Sequence, residues 1–257
     1  MELAPGYAEI DIDASYHDDV ETVWTYFSDT QRQYLILPDG RSDLILTFCV
    51  DGAGRPRDVS PIFVAPFTKA KRIPLRPQQG FIGIRFKAGA AGGFLNAPLH
   101  TLAGSILYGD SAMRQLQCAA TLFGEQPSID HLVANLNRHV CAQSTRNVTR
   151  LVSDVLGLMY QSHGAIQVRE IAALLGMTER TVNRSFTQVV GLAPKSFASI
   201  VRLHNALDLL SDEHASLAEV AVACGYADQA HMTRAFKSVI GHTPGVLQGS
   251  AFEGLLP

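Results

Sequence analysis

Residues 216–244 read S-L-A-E-V-A-V-A-C-G-Y-A-D-Q-A-H-M-T-R-A-F-K-S-V-I-G-H-T-P, and the fold follows from this stretch. Leu217, Val220, Ala221 and Cys224 put apolar groups on one face of a short helix. Gly225 comes next, where the chain needs a residue that tolerates left-handed backbone. Asp228 can accept bonds from the free N–H groups of a second helix. In that helix Met232, Phe236, Val239 and Ile240 recur at helical spacing. A short helix, a glycine turn and a second helix form the layout that sets the second helix into a DNA major groove.

The unit occurs once before. From Val168 the chain reads V-R-E-I-A-A-L-L-G-M-T-E-R-T-V-N-R-S-F-T-Q-V-V-G-L-A-P. Glu170, Ala172 and Gly176 match Glu219, Ala221 and Gly225 at an offset of 49. Arg184, Phe186, Gly191 and Pro194 match Arg234, Phe236, Gly241 and Pro244 at an offset of 50. The later turn is therefore one residue longer, and Thr178 takes the capping place that Asp228 holds. Between the copies, residues 195–210 carry Phe197, Ile200, Val201, Leu203, Leu207 and Leu210, enough apolar surface for one long helix packed on both. Two units in step on one linker helix predict a paired DNA-reading module.

The reading helices are expected at 178–190 and 228–240. In the first, Val182, Phe186 and Val189 face inward, which leaves Arg180, Asn183, Arg184 and Thr187 outside. In the second, Met232, Phe236 and Val239 face inward, and Gln229, Ala230, Thr233, Arg234 and Lys237 face out with His231 at the edge. Arginine pairs bidentately with guanine edges, and Asn or Gln with adenine. The candidate DNA contacts are Arg180, Asn183, Arg184, Gln229, His231, Thr233 and Arg234. Lys195, Arg202 and Lys237 are candidate phosphate contacts. Glu170 and Glu219 suit helix capping, because DNA would repel them.

Composition bounds the rest. The 257 residues are 47% hydrophobic and 18% charged, which fits two domains with real cores. Net charge is −3, and residues 146–257 hold nine Lys+Arg against nine Asp+Glu. DNA affinity must then come from the placement of charge and not from its total. No apolar run reaches the ~20 residues of a membrane span, and the acidic start lacks the pattern of a secretory signal. The expectation is a cytoplasmic protein with no membrane partner. Cys49, Cys118, Cys141 and Cys224 form no C-x-x-C pair, and buried, reduced thiols are expected.

Eight of the twelve prolines lie before residue 100 and punctuate short strands expected at 7–12, 23–27, 34–37, 43–50, 61–65 and 80–86. This spacing suggests a small barrel or jelly-roll-like sandwich. A helix start is expected near 17–21, and short helical pieces at 93–95 and 99–102. A helix at 111–123 and a stripe of Ile129, Leu132, Val133, Leu136 and Val140 follow. The stripe either packs on its own domain or forms a dimer surface. The polar run 142–147 is the expected boundary, and 148–160 a striped helix after it. The fold class is α+β in two domains. Residues 1–145 form a β-rich domain with helices at about 111–142. Residues 146–257 form an all-α domain of two helix-turn-helix units joined by a long helix, with a loose tail at 249–257.

Residues about 165–248 resemble the DNA-binding domain of the AraC/XylS family of bacterial transcription regulators. The motifs are I-A-A-L-L-G-M-T-x-x-x-V-x-R-x-F, G-L-A-P-K-S-F, R-L-x-x-A-x-x-L-L, L-A-E-V-A-x-x-C-G-Y-A-D-Q-A-H-M-T-R-A-F-K and G-H-T-P. The resemblance implies two units reading successive major grooves on one face of double-stranded DNA. Val246-Leu247-Gln248 depart from it, since the family usually has an aromatic residue and an arginine there. L-P-D-G-R-S-D-L-I-L at 37–46 and G-I-R-F-K-A-G at 83–89 resemble a β-rich domain attached to some members. Such domains sense a small-molecule effector, form a homodimer, or do both. An activator would also meet RNA polymerase.

No effector residues follow from sequence. Trp24, Tyr26, Tyr34, Phe48, Phe63, Phe81 and Phe86 can line a pocket or fill a core, and Arg41 or Arg85 can face an anionic ligand. One alternative is an effector-independent regulator whose N-terminal domain only dimerises or contacts polymerase. Another is a cupin-like enzyme fused to a DNA anchor. That enzyme needs clustered metal ligands, whereas His17, His100, His131 and His139 are scattered. No catalytic residue, metal or cofactor is expected, and the chain is not expected to be an enzyme.

Overall fold

The computed structural model describes residues 5–10, 19–117, 128–141, 148–248 and 255–256. Its strands are β1 (Gly6–Ile10), β2 (Val20–Ser28), β3 (Arg32–Ile36), β4 (Ser42–Val50), β5 (Pro56–Val64), β6 (Lys71–Leu75), β7 (Gln79–Phe86), β8 (Ile106–Tyr108) and β9 (Leu255–Leu256). A six-stranded sheet has the order β1-β2-β7-β4-β5-β8, and a small second sheet the order β6-β3-β9. Among the described residues the large sheet is open at both edges, so its strands do not close into the barrel suggested by their spacing.

Strand side chains alternate faces, and here both faces are covered. Leu44, Leu46, Phe63, Ile82, Ile84 and Phe86 join one core with a 3-10 helix (Ala90–Phe94), α1 (Leu99–Leu102), α2 (Asp110–Gln115) and α3 (Ile129–Cys141). Trp24, Tyr26, Ile45, Ile62, Val64 and Phe81 face the other way, toward the small sheet. Double coverage explains apolar runs such as L-I-L at 44–46, where a half-exposed strand would alternate with polar residues. Ile129, Leu132, Leu136 and Val140 of α3 lie in the first core, so the stripe packs on its own domain.

The helical C-terminal part comprises α4 (Arg150–Gln161), α5 (Val168–Leu174), α6 (Glu179–Val190), α7 (Pro194–Leu210), α8 (Leu217–Ala223), α9 (Gln229–Val239) and α10 (Pro244–Leu247). Helices α5 and α6 are the first unit, α8 and α9 the second. Phe186, Phe197 and Ile171 centre one core, and Phe236, Met232 and Leu207 another, with α7 contributing to both. Thr178 Oγ1 accepts from Thr181 N–H at 3.2 Å, and Asp228 Oδ1 from His231 N–H at 2.5 Å. Gly176 (φ 64°) and Gly225 (φ 72°) take the left-handed turn positions. Glu170 accepts from the Gln167 N–H at 3.0 Å, a capping role. No helix among the described residues is long and apolar enough to cross a membrane.

Several expectations need correction. β6 and β8 were not expected: K-R-I-P-L is charged and contains a proline, and three residues make too short a run to show a period. The helix expected at 111–123 is only Asp110–Gln115, and Leu116 instead pairs with Leu95 in a β-bridge. Glu21 lies in β2 and not at a helix start. Residues 255–256 of the expected loose tail pair parallel with β3. Cys49 is exposed, and Cys224 is buried as expected. The ends of the expected features at 7–12, 17–21 and 111–123, the boundary 142–147, Cys118 and the rest of the tail lie outside the described residues, as does the side chain of Cys141.

Candidate nucleic-acid interface and interior cavity

Burial of Val182 and Phe186 on α6 turns Arg180, Asn183 and Arg184 outward, and all three are exposed. Burial of Met232 and Phe236 on α9 likewise exposes Gln229, Ala230 and Arg234 and leaves Thr233 half-buried. A shallow depression on α9 is lined by Gln229, Ala230, Thr233 and Arg234. Arg184 and Arg234 each stand two residues before a fully buried Phe and have no partner among the described residues. Each guanidinium is thus uncommitted and carried on a rigid helix, as base reading requires.

Two expected contacts are partly engaged already. Asn183 Nδ2 donates to the Glu179 carbonyl at 2.8 Å, which leaves its second N–H and Oδ1 for a base edge and fixes the orientation of the amide. His231 Nδ1 accepts from the Ala227 N–H at 3.2 Å, and its ring meets Tyr226 edge-on at 5.4 Å. That histidine shapes the turn before α9, and only its Nε2 edge points to other partners.

A cavity of about 650 Å³ lies between the second face of the large sheet and α7. Trp24, Tyr26, Ile62 and Phe81 form part of its wall. His204, Leu207, Asp208 and Ser211, spaced i, i+3, i+4, i+7 on α7, form another part. Gly83 pairs across the sheet with Trp24, and a Cβ there would collide with the indole. The absent side chain lets the ring lie flat and donate from Nε1 to Asp43 Oδ1 at 3.2 Å. Arg85 Nε donates to the same oxygen at 3.2 Å and lies 3.7 Å from Asp39 Oδ2. Burial pushes the Asp43 carboxyl up to about 6, against the opposing pull of Arg85.

Of the aromatics named from sequence, Trp24, Tyr26 and Phe81 line this cavity. Phe48, Phe63 and Phe86 fill the opposite core. Arg41 lies outside the cavity wall, paired with Glu21. The α7 residues of the wall were missed, since a helix stripe read from sequence cannot say that a sheet covers it.

Residues 171–250 match a helix-turn-helix domain family, and residues 14–107 match a domain family of unknown function, DUF6597. The helix-turn-helix domain, about a third of the chain, is of the AraC/XylS type. An uncharacterised helix-turn-helix regulator of Haemophilus influenzae is 28% identical over 95 residues, 37% of this chain and 32% of that one. The transcriptional activator RhaS of Klebsiella pneumoniae is 27% identical over 115 residues, 44% of this chain and 41% of that one. The transcriptional activator NphR of a Rhodococcus species is 31% identical over 134 residues, 51% of this chain and 39% of that one. The chain therefore spans about a third to two fifths of these relatives' length. Among solved structures, ToxT of Vibrio cholerae aligns over 88% of this chain and 95% of its own, at 11% identity and TM-score 0.42. The C-terminal domain of AraT from Geobacillus stearothermophilus aligns over 40% and 87%, at 20% identity and TM-score 0.38.

Within this AraC/XylS-type domain one expected phosphate contact is corrected. Arg202, at the middle of α7, donates from Nη2 to the Gly164 carbonyl at 2.8 Å and from Nη1 to the Gly225 carbonyl at 3.2 Å. Its guanidinium lies 5.5 Å from the centre of the Tyr226 ring. Gly164 precedes the first unit and Gly225 lies in the turn of the second, so Arg202 staples the two units together. Lys195 and Lys237 remain exposed.

Proposed function

We propose that this chain is a sequence-specific DNA-binding transcriptional regulator. In this reading α6 and α9 enter two successive major grooves roughly 34 Å apart. Arg184 and Arg234 read base edges at equivalent positions, flanked by Arg180, Asn183, Gln229 and Thr233, with His231 in a minor role. The β-rich part tunes the module through a small molecule, and its boundary with the helical domain falls within 142–147. One observation carries the DNA reading: two uncommitted arginines occupy the same register on two capped helices of one stapled domain. The effector rests on the cavity that the sheet and α7 wall together.

The test is selection of bound sites from random duplex DNA, followed by fluorescence titration of Arg184→Ala and Arg234→Ala on the selected site. Each variant should bind more weakly by about 1–3 kcal/mol with unchanged circular dichroism. Wild-type affinity in both variants would refute the assignment.

A further inference from the structure

We propose that the cavity binds an amine: an aromatic or aliphatic body among Trp24, Tyr26 and Phe81, with its cationic head held by Asp43, Asp39 and Asp208. This rests on the effector reading above and adds the ligand's chemical class. The cavity's volume, about 650 Å³, lies in the range that holds organic ligands, ~300–1,000 Å³.

The charges on the wall decide the class. Asp39, Asp43 and Asp208 face one guanidinium, that of Arg85, and one imidazole, that of His204. Arg85 is already committed to Asp43 and Asp39, and no other Arg or Lys among the described residues lines the cavity. His204 Nε2 donates to the Pro38 carbonyl at 2.8 Å, since a carbonyl can only accept. Among the described residues of the wall an anionic ligand would find no unengaged cation and would meet an excess of carboxylates.

A cation meets the reverse. Both side-chain bonds to Asp43 land on Oδ1, so Oδ2 receives none among the described residues. Asp208 makes no ion pair among the described residues. It lies one helical turn beyond His204, whose bond to Pro38 places it beside Asp39. Trp24, Tyr26 and Phe81 supply an aromatic wall against which the ligand's apolar body packs. The head group thus bridges carboxylates on the sheet and on α7, the helix that carries both DNA-reading units.

Trp24 is the chain's one tryptophan, so its fluorescence reports the cavity directly. The full chain is titrated at neutral pH with 4-phenylbutylamine, its neutral counterpart 4-phenylbutanol and its anionic counterpart 4-phenylbutyrate. The amine should bind about tenfold or more tighter than the alcohol, and the carboxylate weakest. Asp43→Asn keeps the acceptor for Trp24 and Arg85 and should cancel the preference for amine over alcohol. Asp208→Asn, on an exposed residue with no side-chain bond among the described residues, should reduce it about threefold. Equal binding of alcohol or carboxylate, or a preference that survives both variants, overturns the amine class and leaves the effector reading standing. If no probe binds, the amine class falls with the cavity reading. DNA titration of the same preparation scores the regulator reading separately.

Discussion

Replacing Arg202 separates a staple from a phosphate ligand. Arg202→Met keeps the stem packed on α7 and removes the charged fork. It deletes two charge-assisted bonds, at 2.8 Å to Gly164 and 3.2 Å to Gly225, and the stacking on Tyr226 at 5.5 Å. Such bonds contribute about 1.5–3 kcal/mol each when shielded, and the stacking about 0.5–2. Two features lower the sum. The bond to Gly225 is exposed, and Nε is buried without a partner among the described residues, so the group already bears a desolvation cost. The expected loss is about 2–3 kcal/mol in urea unfolding followed by circular dichroism. Arg202→Lys carries a point charge that cannot span both carbonyls, and should lose about half as much. In DNA titrations Arg202→Met should weaken binding while leaving the slope of log affinity against log salt unchanged. A phosphate ligand behaves in the opposite way: stability holds, Lys substitutes well, and the salt slope of Arg202→Met falls by about 1. That second pattern would refute the staple.

Other outcomes follow from the same geometry. Gly164→Ala places a Cβ against the Ala198 carbonyl at a φ of 75° and should cost ~2 kcal/mol or more in urea; a silent variant would show that α7 can shift away. Gly83→Ala should push the indole off the sheet and red-shift Trp24 emission, with a loss of ~1–3 kcal/mol; unchanged emission would contradict the flat ring. The Asp43 carboxyl is raised from 3.8 to about 6, so the folded state binds this proton more tightly than the unfolded chain. Its stabilising contribution is complete below the unfolded value and disappears as pH rises through about 6, a span of about 3 kcal/mol. Wild type should therefore lose stability relative to Asp43→Asn as pH rises across that window, with Arg85, Asp39 and Trp24 as the neighbours that set the shift. A constant difference between the two proteins would mean that Asp43 does not titrate there.

The helix-turn-helix half was legible because its rules are local. Helix caps, a glycine turn and a 3.6-residue period fix α5, α6, α8 and α9 from their own residues, and the repeat fixes which faces correspond. Arg180, Arg184 and Arg234 could be assigned outward by elimination once Val182, Phe186, Met232 and Phe236 were placed inside. Arg202 could not be assigned in that way. Its partners lie 38 and 23 residues away, and a guanidinium on a helix face looks the same whether it meets phosphate or a carbonyl. The β-rich part was legible as strands, but its sheet order was not, since β7 pairs with both β2 and β4 across long connections. The cavity was hidden for the same reason. Its walls come from residues 7 to 211, and alternation on a strand shows that a face is buried without showing what it is buried against.

Under the proposed function, the contact between the two parts bears on how a ligand would reach DNA binding. Gly89 packs on Val189, and Leu99 and Pro66 on Gly191, all at the C-terminal end of α6. Ala70 N–H donates to the Val239 carbonyl at 2.7 Å, and Arg72 lies 3.4 Å from His242, both at the C-terminal end of α9. The β-rich part thus touches α6 and α9 at their C-terminal ends, away from the first turns, where Arg180, Arg184, Gln229 and Arg234 stay exposed. A ligand in the cavity has no reading surface to uncover. What it can change is the placement of α7 against the sheet, through His204, Leu207 and Asp208, and with it the relation between the units at the far ends of that contact. Two grooves at fixed spacing tolerate little error in that relation. A small shift at α7 would therefore alter affinity for a two-groove site far more than for either half alone, and control would act through geometry without blocking the DNA-facing surface.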